Sequence, residues 1–324
     1  MTLRSTLRQG FALVLSLAGT VGPDEQAPPA FPAEVDAVYV DVFVTSRGEP
    51  VAGLKAGDFE VTDDGVRQAA TLVQTETVSV APLLLFDTSG SVRGPKLRDL
   101  KAAGHAFVDG LAGRDEGAVL AFSHELSLLA RATPSRAALH QAIERLEPGG
   151  ATALYDALYL AFKLPLGQGR PVIVLFTDGE DNVSWLGRDE VREAALQSSA
   201  LLYVVATGSP EAPEAAFLRE TAEATGGRSW NAAASDRLTR RFLDILSAMR
   251  TRYLLTYEPH GVKREGRHRL KIEVRGRKVD VRHRREYVMT GPPPREKTAP
   301  PVPPAPAAPK LSALPSFCDD VQGA

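Results

Sequence analysis

Cysteine is almost absent from this chain: Cys318 stands alone among 324 residues, so no internal disulfide can form. The six histidines show no pairing at zinc-ligand spacing, and no His-Glu-x-x-His occurs. No Gly-x-x-x-x-Gly-Lys-Ser/Thr occurs either, which removes Walker-type nucleotide binding. A large excess of one charge is also missing. The net charge is −2, which argues against an extended nucleic-acid footprint. One basic stretch exists: residues 263–286 hold eleven Lys and Arg against four Asp and Glu. It contains no Phe, Trp or Tyr to stack on bases, and reads as a solvated strand face that discourages edge pairing.

Long apolar runs are missing too. The run at residues 11–18 is too short to span a bilayer, which needs roughly 20 residues. Preceded by Arg4 and Arg8, it reads as a secretory signal over residues 1–22, with cleavage between residues 18 and 27. No cysteine lies there, so a lipoprotein anchor is not expected. The expected location is secreted, periplasmic or cell-surface, with no stable membrane span after signal cleavage. Residues 291–324 alternate prolines with alanines, a composition that cannot bury a core, and are expected as a disordered tail.

Between these ends the hydrophobic period changes twice. Residues 33–80 alternate at period two through Val38, Val40, Val42 and Val44, then Phe59 and Val61, a turn at Asp63-Asp64-Gly65, and Thr71-Leu72-Val73. Residues 251–290 return to that period at 253–257. Leu270, Ile272 and Val274, then Gly276, then Val279 and Val281, predict a hairpin. Each flank is too small to stand alone, and the two are expected to pack as one β-sandwich-like module. Between them, residues 81–250 alternate strands and helices. That predicts a doubly wound α/β fold with a mostly parallel six-stranded sheet, residues 125–129 forming one antiparallel edge strand.

The chemistry gathers at strand ends. The apolar run 82–86 stops at Asp87-Thr88-Ser89-Gly90-Ser91, and the run 172–176 stops at Thr177-Asp178-Gly179. A loop at Gly149-Gly150-Ala151-Thr152 opens a helix between them. In an open parallel sheet, ligands collect beyond the carboxyl ends of the strands. Two carboxylates and three hydroxyls are hard oxygen donors, suited to Mg²⁺, Mn²⁺ or Ca²⁺ and poorly suited to zinc.

In these three pieces the chain resembles the von Willebrand factor A-type (VWA) family and its metal-ion-dependent adhesion site. That family's Asp-x-Ser-x-Ser falls on Asp87, Ser89 and Ser91, its threonine on Thr152 and its second aspartate on Asp178. The stretch 53–61 resembles the N-terminal module of bacterial secreted VWFA-related proteins, with Asp58 capping the local turn. The resemblance implies a VWA domain holding one Mg²⁺ (or Mn²⁺ or Ca²⁺) at those five residues. The under-neutralised ion would capture a carboxylate of a protein partner. The expectation is thus a monomeric adhesion module, not an enzyme, with no nucleic-acid partner. A haloacid-dehalogenase-type phosphatase is the enzyme rival, but it wants an aspartate where Ser89 stands. A scaffold without metal is the third reading. Glu180 and Asp181 read as solvated loop carboxylates.

Overall fold

The computed structural model describes residues 37–73, 79–178, 180–232 and 235–289. The expected signal segment and Pro-rich tail lie outside these. The first strands are β1 (Val38–Ser46), β2 (Glu49–Pro50), β3 (Phe59–Asp63), β4 (Val66–Gln68) and β5 (Thr71–Val73). Alternation decides their faces: Val40, Val42 and Val44 of β1 are buried, as are Phe59 and Val61 of β3. Asp64 and Gly65 both take positive φ, 46° and 83°, in the two-residue turn joining β3 to β4. Such a turn matches the natural twist of a hairpin. Asp58 caps its turn as expected, its carboxylate accepting from Lys55 N at 2.7 Å.

The α/β region follows with β6 (Val80–Asp87), α1 (Pro95–Asp109), β7 (Gly117–Phe122), β8 (Leu126–Thr133), α2 (Arg136–Glu144) and α3 (Leu154–Lys163). It continues through β9 (Arg170–Thr177), α4 (Arg188–Gln197), β10 (Leu201–Ala206), α5 (Pro213–Ala224), β11 (Arg228–Asn231) and α6 (Ser235–Arg250). The six strands lie in the order β11-β10-β9-β6-β7-β8. All pair in parallel except β8, which runs antiparallel at the edge. The sheet is apolar on both faces because helices cover both. Leu84 and Phe86 face one core with Leu100 and Phe107 of α1 and Phe242 and Ile245 of α6. Leu83 and Leu85 face the other, with Leu154 and Leu158 of α3, Val191 of α4 and Phe217 of α5.

The chain ends its described part with β12 (Tyr253–Tyr257), β13 (Gly266–Val274), β14 (Asp280–Arg282) and β15 (Glu286–Met289). One antiparallel sheet runs β14-β1-β12-β5 with β2 beside β1, the other β15-β13-β3-β4. Val40, Val42 and Leu255 from the first sheet share a core with Phe59, Val61, Leu270 and Ile272 from the second. The two flanks therefore build a sandwich together. The hairpin expected around Gly276 does not form. β3 pairs with β13 over 270–274 and β15 only over 266–269. At Ile272 the remaining edge is met by the His283 ring, whose Nε2 accepts from Ile272 N at 3.2 Å. After Gly276 (φ 66°) the chain crosses to the other sheet, where β14 pairs with Phe43–Thr45 of β1.

A buried polar knot joins sandwich and α/β sheet. Arg170 at the start of β9 donates to Asp41 Oδ1 at 2.9 Å and to the Met249 carbonyl at 2.6 Å. Arg252 donates to Tyr203 Oη at 3.2 Å and to the Gly226 carbonyl at 2.9 Å, with its Nε 3.7 Å from Asp41 Oδ1.

Candidate metal centre

β6 and β9 are neighbours in register, Phe86 beside Phe176, so Asp87 and the end of β9 meet at the rim of the sheet. After β6 the chain turns toward β7, and after β9 toward β10, on the opposite side. This reversal opens the crevice where doubly wound folds bind ligands.

Asp87 is buried at its floor. Its Oδ1 accepts from Ser89 N at 2.9 Å and its Oδ2 from Thr177 Oγ1 at 2.7 Å. Burial raises its carboxyl above the usual range, the bonds from Ser89 and Thr177 pull the other way, and the charge of Asp178 adds to the rise. The Ser89 and Ser91 hydroxyls lie 3.0 Å apart. Asp178 is also buried, and its Oδ1 has no hydrogen-bond partner among the described residues. A buried carboxylate oxygen without a donor is costly unless something positive completes it.

The loop carrying Thr152 is stitched to this floor by the backbone. Gly90 N donates to the Gly150 carbonyl at 2.9 Å and Gly149 N to the Thr88 carbonyl at 2.8 Å. Gly150 has φ 77°, and a Cβ there would lie 2.0 Å from His124 Nδ1. Gly208, in the loop after β10, comes so close to Asp178 that a Cβ would sit 1.6 Å from its carbonyl oxygen. Thr152 itself is buried, its N–H bound to Asn182 Oδ1 at 2.7 Å and its carbonyl to Asn182 N at 3.0 Å. Asp87, Ser89, Ser91 and Asp178 thus share one floor, and Thr152 comes to it on a loop bonded to that floor. This set of carboxylates and hydroxyls fits a hard divalent cation.

The expectation for Asp181 needs correction. It is not merely a solvated carboxylate: Oδ1 accepts from Leu154 N at 2.8 Å and Tyr155 N at 3.3 Å, and the Ser184 hydroxyl donates to it at 2.5 Å. It caps α3, whose own N-cap residue, Ala153, has no side chain able to do so. Asp156 answers from the helix by accepting from Trp185 N at 3.0 Å and Leu186 N at 2.9 Å. Asn182, Ser184 and Asp156, which act here with Asp181, carry no such reading in the sequence. They latch the loop after Asp178 to the loop of Thr152, leaving Val183 and Trp185 exposed, Trp185 at 95%.

A second acidic group lies in the sandwich. Ligand atoms of Asp63, Asp64 and His268 fall within 4.8 Å of one another.

The family model for the von Willebrand factor type A domain matches residues 83–180, the stretch that holds all five crevice residues. This region is a von Willebrand factor type A domain. An uncharacterised Synechocystis protein, sll0103, is 36% identical to the chain over 103 residues, covering 30% of this chain and 24% of that protein. The mouse inter-alpha-trypsin inhibitor heavy chain H2 is 25% identical over 198 residues, covering 57% of this chain and 20% of that one. The chain thus spans about a quarter or less of the length of these curated relatives. Among solved structures, the A domain resembles a von Willebrand factor type A protein from Catenulispora acidiphila, with 17% identity and a TM-score of 0.47 over 79% of this chain and 74% of that one. It also resembles the vWF domain of the type V pili tip protein Mfa5 from Porphyromonas gingivalis, with 15% identity and a TM-score of 0.44 over 53% of this chain and 95% of that one. Among the described residues, no helix is long and apolar enough to cross a membrane.

Proposed function

We propose that this A domain is a metal-dependent protein-binding module, exported from the cytoplasm, that captures an acidic side chain of a protein partner. The observation that carries the reading is the orphaned, buried Oδ1 of Asp178 on the same floor as Asp87 and the paired hydroxyls of Ser89 and Ser91. Asp87, Ser89, Ser91, Thr152 and Asp178 would hold the ion, Mg²⁺ or Mn²⁺, whose positive charge draws a carboxylate. Every other part of the binding is done by the chain itself. Asn182 fixes the backbone of Thr152, the Asp181–Ser184 cap fixes the start of α3, and Asp156 fixes the backbone under Trp185. Beside the crevice stands a large aromatic on a pre-organised loop, the type of residue that anchors protein interfaces. Arg4 and Arg8 before the short apolar run support export.

No residue is assigned to acid–base work. Glu180 is exposed, and Asp181 is committed to capping. Millimolar Mg²⁺ is expected to raise the melting temperature, because a ligand of the folded state stabilises it by mass action. Asp87→Ala abolishes that rise while the circular dichroism spectrum stays native. Capture of a partner from the envelope is lost with chelator and in Thr152→Ala, and weakened in Trp185→Ala. An Mg²⁺ response unchanged in Asp87→Ala would place the ion elsewhere. Metal-dependent turnover of p-nitrophenyl phosphate, lost in Asp87→Asn, would replace binding with phosphatase chemistry.

A further inference from the structure

Away from the crevice, α1 and α2 bring two histidines face to face. His105 Nδ1 and His140 Nδ1 are 2.6 Å apart. The outer nitrogen of each ring meets a carboxylate: His105 Nε2 lies 2.7 Å from Glu144 Oε1, and His140 Nε2 lies 3.1 Å from Asp109 Oδ1. Hydrogen bonding to His105 holds the Glu144 carboxyl below its usual range, so it stays an acceptor.

The proton count follows from these four contacts. An ionised carboxylate only accepts, so each outer nitrogen carries its hydrogen. A neutral imidazole has one N–H, which leaves both inner nitrogens as lone pairs pointing at each other. Something positive has to lie between them. A single proton would do, making the pair an imidazole–imidazolium. A transition ion would also do, and three features favour it. A carboxylate on the far nitrogen is the common support of a metal-binding histidine: it fixes the tautomer and raises the basicity of the ligating nitrogen. Next, the charged groups in direct contact with the two rings are carboxylates. Glu144 and Asp109 face it with Lys101, whose Nζ sits 3.5 Å from Glu144 Oε2, while Arg145 is spent on the Leu129 carbonyl. Finally, the rings are reachable. Their side chains are 26% and 31% exposed and line an open groove with Leu129, Arg131 and Gln141.

We propose that His105 and His140 form a metal site separate from the crevice, a two-imidazole clamp for a borderline transition ion of the Zn²⁺ class that ties α1 to α2. Imidazole suits Zn²⁺, Cu²⁺ and Ni²⁺ and ignores Mg²⁺, so the two sites do not compete for one ion. Zn–N bonds of about 2.0–2.1 Å at a tetrahedral angle put the nitrogens roughly 3.3 Å apart. The pair opens by less than an ångström, and water fills the remaining positions.

The test is a Zn²⁺ titration of the full chain by calorimetry in Mg²⁺-containing buffer, in a Cys318→Ser background that removes the lone thiol. One saturable event is expected, lost in His105→Gln/His140→Gln and retained in Asp87→Ala. Glu144→Gln and Asp109→Asn, both at exposed carboxylates, weaken it by roughly 10–100-fold each without touching an inner nitrogen. Imidazole ¹⁵N shifts move at Nδ1 of both rings. No saturable event, or one that survives the double substitution, overturns the proposal. So does an event lost in His268→Gln, which assigns the ion to the sandwich, or one lost in Asp87→Ala, which assigns it to the crevice.

Discussion

Among the described residues, the acidic groups of the sandwich and of the crevice are built on opposite principles. In the sandwich, Asp63 is fully enclosed and fully answered. Tyr257 and Tyr287 hydroxyls donate to its Oδ2 at 2.9 and 2.8 Å, and His268 Nδ1 lies 3.2 Å from its Oδ1. Burial pushes both tyrosine hydroxyls far up, so they remain donors at every working pH. In the crevice, Asp87 is answered by Ser89 and Thr177, but Asp178 Oδ1 has no partner among the described residues. The sandwich acid is closed by its donors and joins two sheets, although His268 Nε2 behind it has no partner among the described residues. The crevice group is incomplete without a visitor. Proximity of carboxylates says little; the unanswered oxygen says which cluster is a site.

The sharpest way to break this contrast is to remove the central acceptor of the closed group. Asp63→Ala strands two tyrosine hydroxyls and leaves His268 Nδ1 with Asp64 alone, and urea unfolding should show a loss of about 3–5 kcal/mol. The Mg²⁺ response of the surviving fold should be unchanged. Asp178→Ala is the mirror experiment. Stability in chelator should hold or rise, since Asp87 loses a repelling neighbour. The Mg²⁺ stabilisation, about 2.7 kcal/mol at a hundredfold excess over Kd, should vanish from thermal melts. Asn182→Ala is milder: with Thr152 no longer pinned, Mg²⁺ affinity should fall about tenfold by calorimetry. The smallest effect is a pH slope in the sandwich. His283 accepts from Ile272 N through Nε2, and burial depresses its pKa. A group depressed in the fold contributes stability above its unfolded value and loses it as pH falls. Unfolding free energy should therefore decline below about pH 6.5, and His283→Gln should flatten that slope.

The floor of the crevice was readable because its signals are local. An apolar run followed at once by Asp87-Thr88-Ser89-Gly90-Ser91 states both the strand and what stands at its end, and Asp178 repeats the device. The latch was not readable because its logic is an omission. Ala153 at the start of α3 cannot cap its helix, and that lack is the only sequence trace of the role of Asp181, 27 residues away from the N–H of Leu154 that it accepts. The partners of β13 were misread for a related reason. A turn glycine marks where a strand ends, but not whether the chain folds back or crosses to another sheet; here β14 joins β1, and a histidine side chain rather than a strand meets β13 at Ile272. His105 and His140 escaped any spacing rule because β7 and β8 intervene between their helices.

The polar knot around Arg170 has a consequence for the order of folding. Val73 of β5 pairs with Leu254 of β12, about 180 residues onward. An open chain would lose roughly 4–5 kcal/mol of entropy in closing such a loop. Arg170 removes most of that search. It lies opposite Val80, the first residue of β6, and its guanidinium holds the carbonyl of Met249 near the end of α6. Once the parallel sheet has formed, both ends of the intervening chain are therefore held at one residue, and β5 and β12 are delivered side by side. On that route the sandwich would close last, with Asp41 positioned by its bond to Arg170. A lesion deep in the parallel sheet would thus announce itself first at the other end of the molecule, as two flanks that never meet.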